Sequence, residues 1–234
     1  MNKEKIFKKN RFLYWLYKIQ KIYKNSFPNK HFAQFGEDIF VGIIFRDIKK
    51  GFYVDIGAYH PFKGSLTYNL YKKGWHGINV DLSKASIELF KIARPLDINV
   101  NCAISSEDKE TYYYENAPIN QQNSLIKKSD NQKKIQINSY KLETILNRNG
   151  FNKVDYINID TEGNEMEILR SINFEKIKPI LITLEDNSFE IDSEQKMEKI
   201  EFMKKNDYQL INIIGVTLFF IKKDYLKSLR KIHA

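Results

Sequence analysis

Short apolar runs that end in an acidic residue recur along the chain. The run 52–56 is apolar apart from Asp55, and Gly57 follows it directly. The run 77–81 ends in Asp81. Runs this short, with no polar face, are typical of parallel strands that are covered on both sides. In open α/β sheets ligands bind beyond the carboxyl ends of such strands, so both acids are candidates for a binding site.

The rest of the chain alternates between strand patterns and helical patterns. Residues 115–134 are polar and lack periodicity, which predicts a loop that is either functional or without fixed structure. The alternation predicts an α/β fold with a parallel sheet that ends in an antiparallel C-terminal hairpin. The pattern predicts strands at 98–104, 111–114, 154–160, 180–186, 208–214 and 216–221, and helices at 65–71, 83–93, 141–149 and 193–205.

An acid at the end of each of two successive strands suits a cofactor that contains a nucleoside, because such an acid can bind both ribose hydroxyls. A nicotinamide dinucleotide also needs a glycine-rich turn for its pyrophosphate. The turn 57–64 has one glycine where that motif has two, and it contains bulky residues and a proline. A cofactor without phosphates, such as S-adenosylmethionine, fits better. The alternative is that Asp55 caps a turn and Asp81 caps a helix at Ser83.

The net charge of +9 is concentrated at the two ends. Residues 1–30 hold nine Lys or Arg against one Glu, and residues 222–234 hold five against one Asp. The body between them is slightly acidic, which argues against a nucleic-acid partner. The lone cysteine, Cys102, fits a reducing compartment such as the cytoplasm. We therefore divide the chain into a basic arm (1–30), a catalytic domain (31–222) and a basic tail (223–234).

The arm carries Phe12, Leu16, Ile19 and Tyr23 at helical spacing among basic residues. Such a helix either lies on the inner face of an anionic membrane or packs on the domain itself with its lysines in solvent. The sequence leaves both alternatives open and says nothing about the oligomeric state.

Several ordered motifs resemble the FkbM family of S-adenosylmethionine-dependent methyltransferases. The resemblance covers residues 33–222 and implies the Rossmann-like, seven-stranded class I methyltransferase sheet. It rests on Phe-Gly-Glu-Asp at 35–38, Tyr-Val-Asp-Ile-Gly-Ala at 53–58, Gly-Trp-His-Gly-Ile-Asn-Val-Asp at 74–81, Asn-Cys-Ala-Ile-Ser at 101–105 and Ile-Asp-Thr-Glu-Gly-Asn-Glu at 159–165.

The resemblance also implies roles for individual residues. Asp55, Gly57 and Ala58 would lie at the methionine end of S-adenosylmethionine, and Asp81 would bind its ribose. Asn101, Cys102 and Ala103 would lie beside the adenine, although the apolar surroundings of Cys102 by themselves indicate core packing. Glu37 either lies near the cofactor or only complements the dipole of its own helix. Asp160 and Glu162 would face the acceptor.

Methyl transfer to a hydroxyl requires that its proton be removed, either by a base or with help from a metal ion. Asp160, Glu162 and His60 are the catalytic candidates, with Glu162 or His60 as the base. Carboxylates that converge at neighbouring strand ends repel one another unless a cation lies among them. We therefore expect Asp160, Glu185 and Asp186 to bind Mg²⁺. The alternative is that Glu162 caps the helix at Asn164 and Asp186 caps the turn 187–188.

The sequence thus predicts an O-methyltransferase for a hydroxyl of a sugar, a glycan or another small natural product. One alternative is a methyltransferase fold that has lost activity and serves as a scaffold or binding module. A nicotinamide-dependent oxidoreductase is disfavoured by the missing glycines.

Overall fold

The computed structural model describes residues 11–23, 31–188, 190 and 193–232. Eight helices and ten strands lie within these ranges. In chain order they are α1 (Arg11–Tyr23), α2 (Glu37–Ile44), β1 (Phe52–Ile56), α3 (Tyr68–Lys72), β2 (His76–Asp81), α4 (Lys84–Ala93), β3 (Ile98–Asn101), β4 (Ala103–Ile104), β5 (Lys109–Glu115), β6 (Lys133–Tyr140), α5 (Leu142–Arg148), β7 (Tyr156–Ile159), α6 (Glu165–Ser171), β8 (Leu181–Glu185), α7 (Glu194–Lys205), β9 (Tyr208–Ile214), β10 (Thr217–Lys222) and α8 (Lys223–Ile232).

Seven strands form one sheet in the order β3-β2-β1-β7-β8-β10-β9. Strand β1 pairs in parallel with β2 and β7, and β7 pairs in parallel with β8. Strand β10 runs antiparallel to both of its neighbours, β8 and β9. The predicted fold class, a parallel sheet closed by an antiparallel C-terminal hairpin, is confirmed.

Strand β1 lies in the middle of this sheet, and all five of its residues are buried. Val54 and Ile56 belong to the apolar cluster on one face of the sheet, while Tyr53 packs in the cluster of Phe45 and Trp75 on the other. Burial on both sides explains why the run has no polar face. The chain leaves β1 towards β2 on one side and reaches β7 on the other, so a crevice opens beyond the carboxyl end of β1.

A second, three-stranded sheet in the order β4-β6-β5 departs from the prediction. The predicted strand 98–104 is divided at Cys102 into β3 and β4, which belong to different sheets. Strand β6 was not predicted, although Ile135, Ile137 and Ser139 alternate with polar residues, as expected of a half-exposed strand. Residues 116–132, called the strap below, connect β5 to β6.

The two basic ends are only partly described. Helix α1 confirms a helix in the arm, whereas residues 1–10, 24–30 and 233–234 of the predicted arm and tail lie outside the described residues. Tyr225 and Leu226 of α8 pack against the main domain. None of the described helices is long and apolar enough to span a bilayer.

Candidate active site

A cavity of about 260 Å³ opens beyond the carboxyl ends of β1, β2, β7 and β8. At its β1–β2 end lie Asp55, Gly57 and Asp81, and at its β7–β8 end lie Asp160 and Glu185. The four strand ends that carried acids in the sequence therefore meet at one site.

Asp55 is buried and holds the β1–β2 end together. One of its carboxylate oxygens accepts a hydrogen bond from Thr67 Oγ1 (2.6 Å), and the other accepts one from Asn158 Nδ2 (2.9 Å). Asn158 Oδ1 in turn accepts from Thr183 Oγ1 (2.7 Å). Because Asn158 lies on β7 and Thr183 on β8, this chain of bonds fixes the middle strands to one another at the floor of the cavity.

Arg94 is fully buried and ties down the loop that follows β1. Its guanidinium donates to the carbonyl of Pro61, to Ser65 Oγ (2.7 Å) and to Thr67 Oγ1 (2.8 Å). In the sequence, Arg94 is simply the residue that follows the predicted helix 83–93. A buried arginine needs several acceptors, and these lie about 30 residues away in the chain, so no local signal marks them.

Gly57 and Ala58 line the cavity, and both backbone N–H groups donate to the carbonyl of Val80. Gly57 has φ of +80°, and a Cβ on it would lie 1.6 Å from the carbonyl oxygen of Asp160. Only glycine fits here, because the backbone leaving β1 is in contact with the backbone leaving β7.

Asp81 ends β2 and accepts two backbone hydrogen bonds, from Tyr59 N (2.8 Å) and Ser83 N (2.7 Å). Burial raises the pKa of Asp81 to about 6, although both hydrogen bonds act to lower it. A carboxylate has about four lone-pair sites, so roughly two remain for a ligand. Asp81 therefore caps the helix at Ser83, which was the alternative role predicted from the sequence, and still has lone pairs available for a ligand.

The residues predicted beside an adenine behave differently from one another. Cys102 and Ala103 are buried and line the cavity. Burial raises the pKa of the Cys102 thiol to about 12, so it is neutral and unreactive. Asn101 is exposed, and its Nδ2 donates to the carbonyls of Asp81 and Leu82. Asn101 therefore shapes the end of β2 rather than the cavity wall.

Asp160 and Glu185 form a hydrogen-bonded pair at the β7–β8 end. Burial, and then the charge of Glu185, raise the pKa of Asp160 well above its usual range, and burial also raises the pKa of Glu185. Two carboxyls in contact cannot both ionise at low cost, so the pair retains a proton that isolated carboxyls would lose. Glu185 Oε2 is buried and has no hydrogen-bond partner among the described residues.

Glu162 lines the cavity and has φ of +57°, a strained conformation for a residue with a side chain. Its carboxylate pairs with Lys128 of the strap (Oε2 to Nζ, 2.5 Å), and its carbonyl accepts from Ser124 Oγ (3.1 Å). Glu165 holds the turn in place by accepting from Thr161 N and Gly163 N (3.3 and 2.9 Å). The predicted acceptor-facing residue is thus already bonded to the strap.

The strap closes over the cavity and contributes a polar wall. Asn120, Gln121, Gln122 and Asn123 line the cavity, together with Leu125. The strap also makes a contact at the other end of the site, where the carbonyl of its Pro118 accepts a hydrogen bond from Ser83 Oγ. The strap, which lies within the predicted loop 115–134, therefore has fixed contacts at both ends of the cavity.

The prediction that His60 is a base is wrong. His60 is buried and does not line the cavity, and burial lowers its pKa to about 4. Its Nδ1 accepts from two backbone N–H groups, of Phe62 and Lys63, at 3.1 Å each. Nε2 therefore carries the proton and donates to the carbonyl of Lys21 (3.1 Å). With its lone pair occupied, His60 is a structural link between α1 and the loop after β1.

The structure does not support the predicted metal set of Asp160, Glu185 and Asp186. The described residues contain no group of three His, Cys, Asp or Glu side chains placed to hold a metal ion. Asp186 is buried beside Lys199 (Oδ2 to Nζ, 3.1 Å). Burial acts to raise the pKa of Asp186, but hydrogen bonds from Ser188 and Lys199 outweigh it and lower the pKa. Lys199 thus neutralises Asp186, and its Nζ also donates to the carbonyl of Glu185 (2.9 Å).

Glu37 lines the cavity from α2 and is buried. Its Oε2 accepts from Phe35 N (2.6 Å), which holds the turn at the start of the helix. Its Oε1 lies 3.5 Å from Thr217 Oγ1 on β10. Both interpretations of Glu37, as a helix-start acid and as a residue of the site, are therefore compatible with its position.

The model of the methyltransferase FkbM domain matches residues 55–210. No curated protein sequence matches. One similar solved structure is precorrin-6y C5,15-methyltransferase from Geobacter metallireducens, with 9% identity, 86% of this chain and 94% of that chain covered, and a TM-score of 0.45. Another is 1,6-didemethyltoxoflavin-N1-methyltransferase from Burkholderia thailandensis with bound 1,6-didemethyltoxoflavin and S-adenosylhomocysteine, with 11% identity, 94% and 89% covered, and a TM-score of 0.44.

Proposed function

The chain belongs to the FkbM methyltransferase family and is an S-adenosylmethionine-dependent methyltransferase, and from that premise we propose that it methylates a hydroxyl of a sugar, a glycan or another small, hydroxyl-rich natural product. The observation that carries the proposal is the Asp160–Glu185 pair, which provides a carboxylate base with raised pKa in the wall of the cavity. A hydroxyl acceptor requires such a base, because it is a very weak acid near neutral pH.

The residues at the β1–β2 end fit S-adenosylmethionine. Asp81 has about two lone-pair sites left over, which matches the two hydroxyls of a ribose. Cys102 and Ala103 offer a small apolar wall for the adenine, and Asp55 lies where the cationic methionine part would be held. When bound, S-adenosylmethionine supplies a methyl group on a positively charged sulfur.

At the β7–β8 end the protein's own side chains would handle the acceptor. Glu185, which lines the cavity, would accept the hydroxyl proton, and Asp160, by sharing a proton with Glu185, would keep the pKa of the base near its working range. A base in position contributes roughly 10²–10⁴-fold to the rate. The strap would exclude water, and holding the two reactants in line would contribute several kcal/mol more.

The polar residues that line the cavity support a neutral, hydroxyl-rich acceptor. The side chains of Gln34, Gln121, Asn187 and Thr217 line the cavity, and each can donate and accept hydrogen bonds. The charge of Glu162 is offset by Lys128, so this wall offers no unpaired cation for a phosphate or carboxylate group.

The first test measures binding of S-adenosylmethionine and S-adenosylhomocysteine by calorimetry. We expect micromolar binding to the unaltered protein and a loss of at least tenfold in Asp81→Ala, because the ribose would lose its acceptors. Asp47→Ala, which removes an exposed acid paired with Arg46, is the matched control and should bind normally. Absence of binding to well-folded protein would instead support the inactive scaffold.

The acceptor is tested with pairs of sugars that differ only in one hydroxyl replaced by an amine. We expect methylation of the hydroxyl compound, identified by mass spectrometry and by the chemical shift of the new methyl group. We also expect turnover to persist in EDTA, because Lys199 neutralises the third acid of the predicted metal set. Transfer to the amine alone would contradict the proposal, and loss of turnover in EDTA that Mg²⁺ restores would contradict the base mechanism.

A further inference from the structure

Helix α1 docks on the domain through polar contacts. Lys18 Nζ pairs with Glu88 of α4 (3.2 Å), and Tyr14 hydroxyl donates to the same carboxylate (3.4 Å). Near the end of the helix, Ile22 is fully buried and the carbonyl of Lys21 accepts from His60. The face of α1 that meets the protein therefore includes a lysine and a tyrosine hydroxyl.

Beside this docked face, α1 presents apolar side chains to solvent. Trp15 and Leu16 are 45% and 42% exposed, and Phe12, whose ring stacks near that of Trp15, is 64% exposed. A surface helix usually turns its apolar stripe to the core and its charges to water. Helix α1 buries Ile22 but leaves these three large apolar side chains exposed, which marks their face as an interaction surface.

The charge around this face indicates its partner. Helix α1 contains no acidic residue, and its Arg11 and Lys21 are exposed, whereas Lys18 is paired with Glu88 of the domain. The surrounding residues 1–30 carry a net charge of +8 in all. Aromatic and aliphatic side chains on a basic helix are typical of segments that lie in the plane of an anionic bilayer. A nucleic acid would attract the charge but would give no reason for exposed leucine and tryptophan.

We propose that the exposed face of α1 (Phe12, Trp15 and Leu16) binds the surface of a membrane rich in anionic phospholipids, with the apolar side chains in the headgroup region. Basic residues close to such a surface are attracted to its anionic lipids, and burial of the apolar side chains strengthens the binding. Because the link from Lys21 to His60 remains intact on the other face, the domain stays attached to the helix at the surface.

The two tryptophans of the chain make the test direct. Trp75 is fully buried, so a change in fluorescence on adding vesicles reports Trp15. We expect a blue shift with vesicles of phosphatidylglycerol and phosphatidylcholine in equal parts, none with phosphatidylcholine alone, and weaker binding at high salt. No shift with the anionic vesicles at low salt would overturn the proposal.

Two variants with the same change of charge separate insertion from simple attraction. Leu16→Glu places a carboxylate on the apolar face, whereas Gln20→Glu places one at an exposed polar position of the same helix. We expect vesicle affinity to fall at least tenfold in Leu16→Glu and less than threefold in Gln20→Glu, with S-adenosylhomocysteine binding unchanged in both. Equal losses would mean that charge alone acts and would overturn insertion. A blue shift that appears without vesicles as the protein concentration is raised, together with dimers in analytical ultracentrifugation, would overturn the proposal. It would mean that this face binds a second copy of the chain.

Discussion

The two ends of the cavity differ in how completely their polar groups are satisfied. At the β1–β2 end, Asp55 and Asp81 each accept two hydrogen bonds, and Arg94 holds the adjoining loop. At the β7–β8 end, Glu185 retains a buried oxygen without a partner among the described residues. Strained backbone with positive φ occurs at both ends, at Tyr59 and at Glu162. Unsatisfied and strained groups persist only where the surrounding structure enforces them, and they concentrate at functional sites.

We infer from this contrast that the β1–β2 end is organised in advance to bind, and that the β7–β8 end is where a chemical step would take place. The two ends are joined by the hydrogen bond from Asn158 to Asp55 and by a close contact between Gly57 and the carbonyl of Asp160. Changes at that contact should disturb the whole site, whereas changes within one end should affect binding or turnover separately.

The largest effect is expected from Gly57→Ala. The added Cβ would lie 1.6 Å from the carbonyl oxygen of Asp160, so β1 and β7 would have to separate. We expect the free energy of unfolding, measured with urea, to fall by more than about 4 kcal/mol. Gly150→Ala is the matched control, with φ of +74° and no atom within 4 Å of the added Cβ. It should cost only about 1–2 kcal/mol, and equal losses in the two variants would contradict the close contact.

Glu185→Gln should separate turnover from binding. The amide keeps the shape of the side chain but cannot accept a proton, so we expect the rate of methyl transfer to fall roughly 10²–10⁴-fold. Affinity for S-adenosylhomocysteine should stay within about twofold, because the β1–β2 end is untouched. Glu167→Gln, at an exposed acid of α6, is the control. A turnover loss of less than threefold in Glu185→Gln would remove the base from our proposal.

The acid response of the β1–β2 end follows from Asp81. Its pKa is about 6 in the folded protein, above the unfolded value of about 3.9. The stability that this group contributes is therefore fully present below about pH 4 and is lost as the pH rises through 6. The affinity for S-adenosylhomocysteine should instead increase as the pH rises through 6, because ribose hydroxyls donate more strongly to a carboxylate than to a carboxylic acid.

We therefore expect affinity for S-adenosylhomocysteine to fall below about pH 6, by up to about tenfold per pH unit. Calorimetry at several pH values checks this. Asp81→Asn cannot titrate and should show weak binding that is constant over the same range. The prediction fails if the unaltered protein binds equally well at pH 5 and pH 7.

The sequence was sufficient to predict the sheet and the strand-end acids, because the runs around Asp55 and Asp81 depend only on local pattern. It also contained a signal against one member of the metal set. Successive residues of a strand point to opposite faces, so Glu185 and Asp186 could not both face Asp160. The bonds that Arg94 and Asn158 make cross about 30 and about 100 residues of chain. Their partners are set by tertiary packing. The same holds for His60, whose ring is buried and whose two nitrogens are both hydrogen-bonded.

The smallest effect should come from Glu162→Gly, and it tests whether strain at the β7–β8 end serves function. Glycine relieves the strain at φ of +57°, so stability should not fall and should rise by up to about 1 kcal/mol. Asp207→Gly is closely matched, because Asp207 has φ of +66° and also pairs with a lysine, Lys223. Both exposed ion pairs contribute little to stability.

The two variants should therefore behave alike in urea and differ in catalysis. Only Glu162→Gly releases Lys128 and with it one attachment of the strap, so we expect KM for the acceptor to rise severalfold in this variant alone. An unchanged KM would mean that the strained turn merely joins β7 to α6. A rise in KM together with equal or greater stability would show that the chain keeps a costly conformation at this turn because it holds the strap over the acceptor.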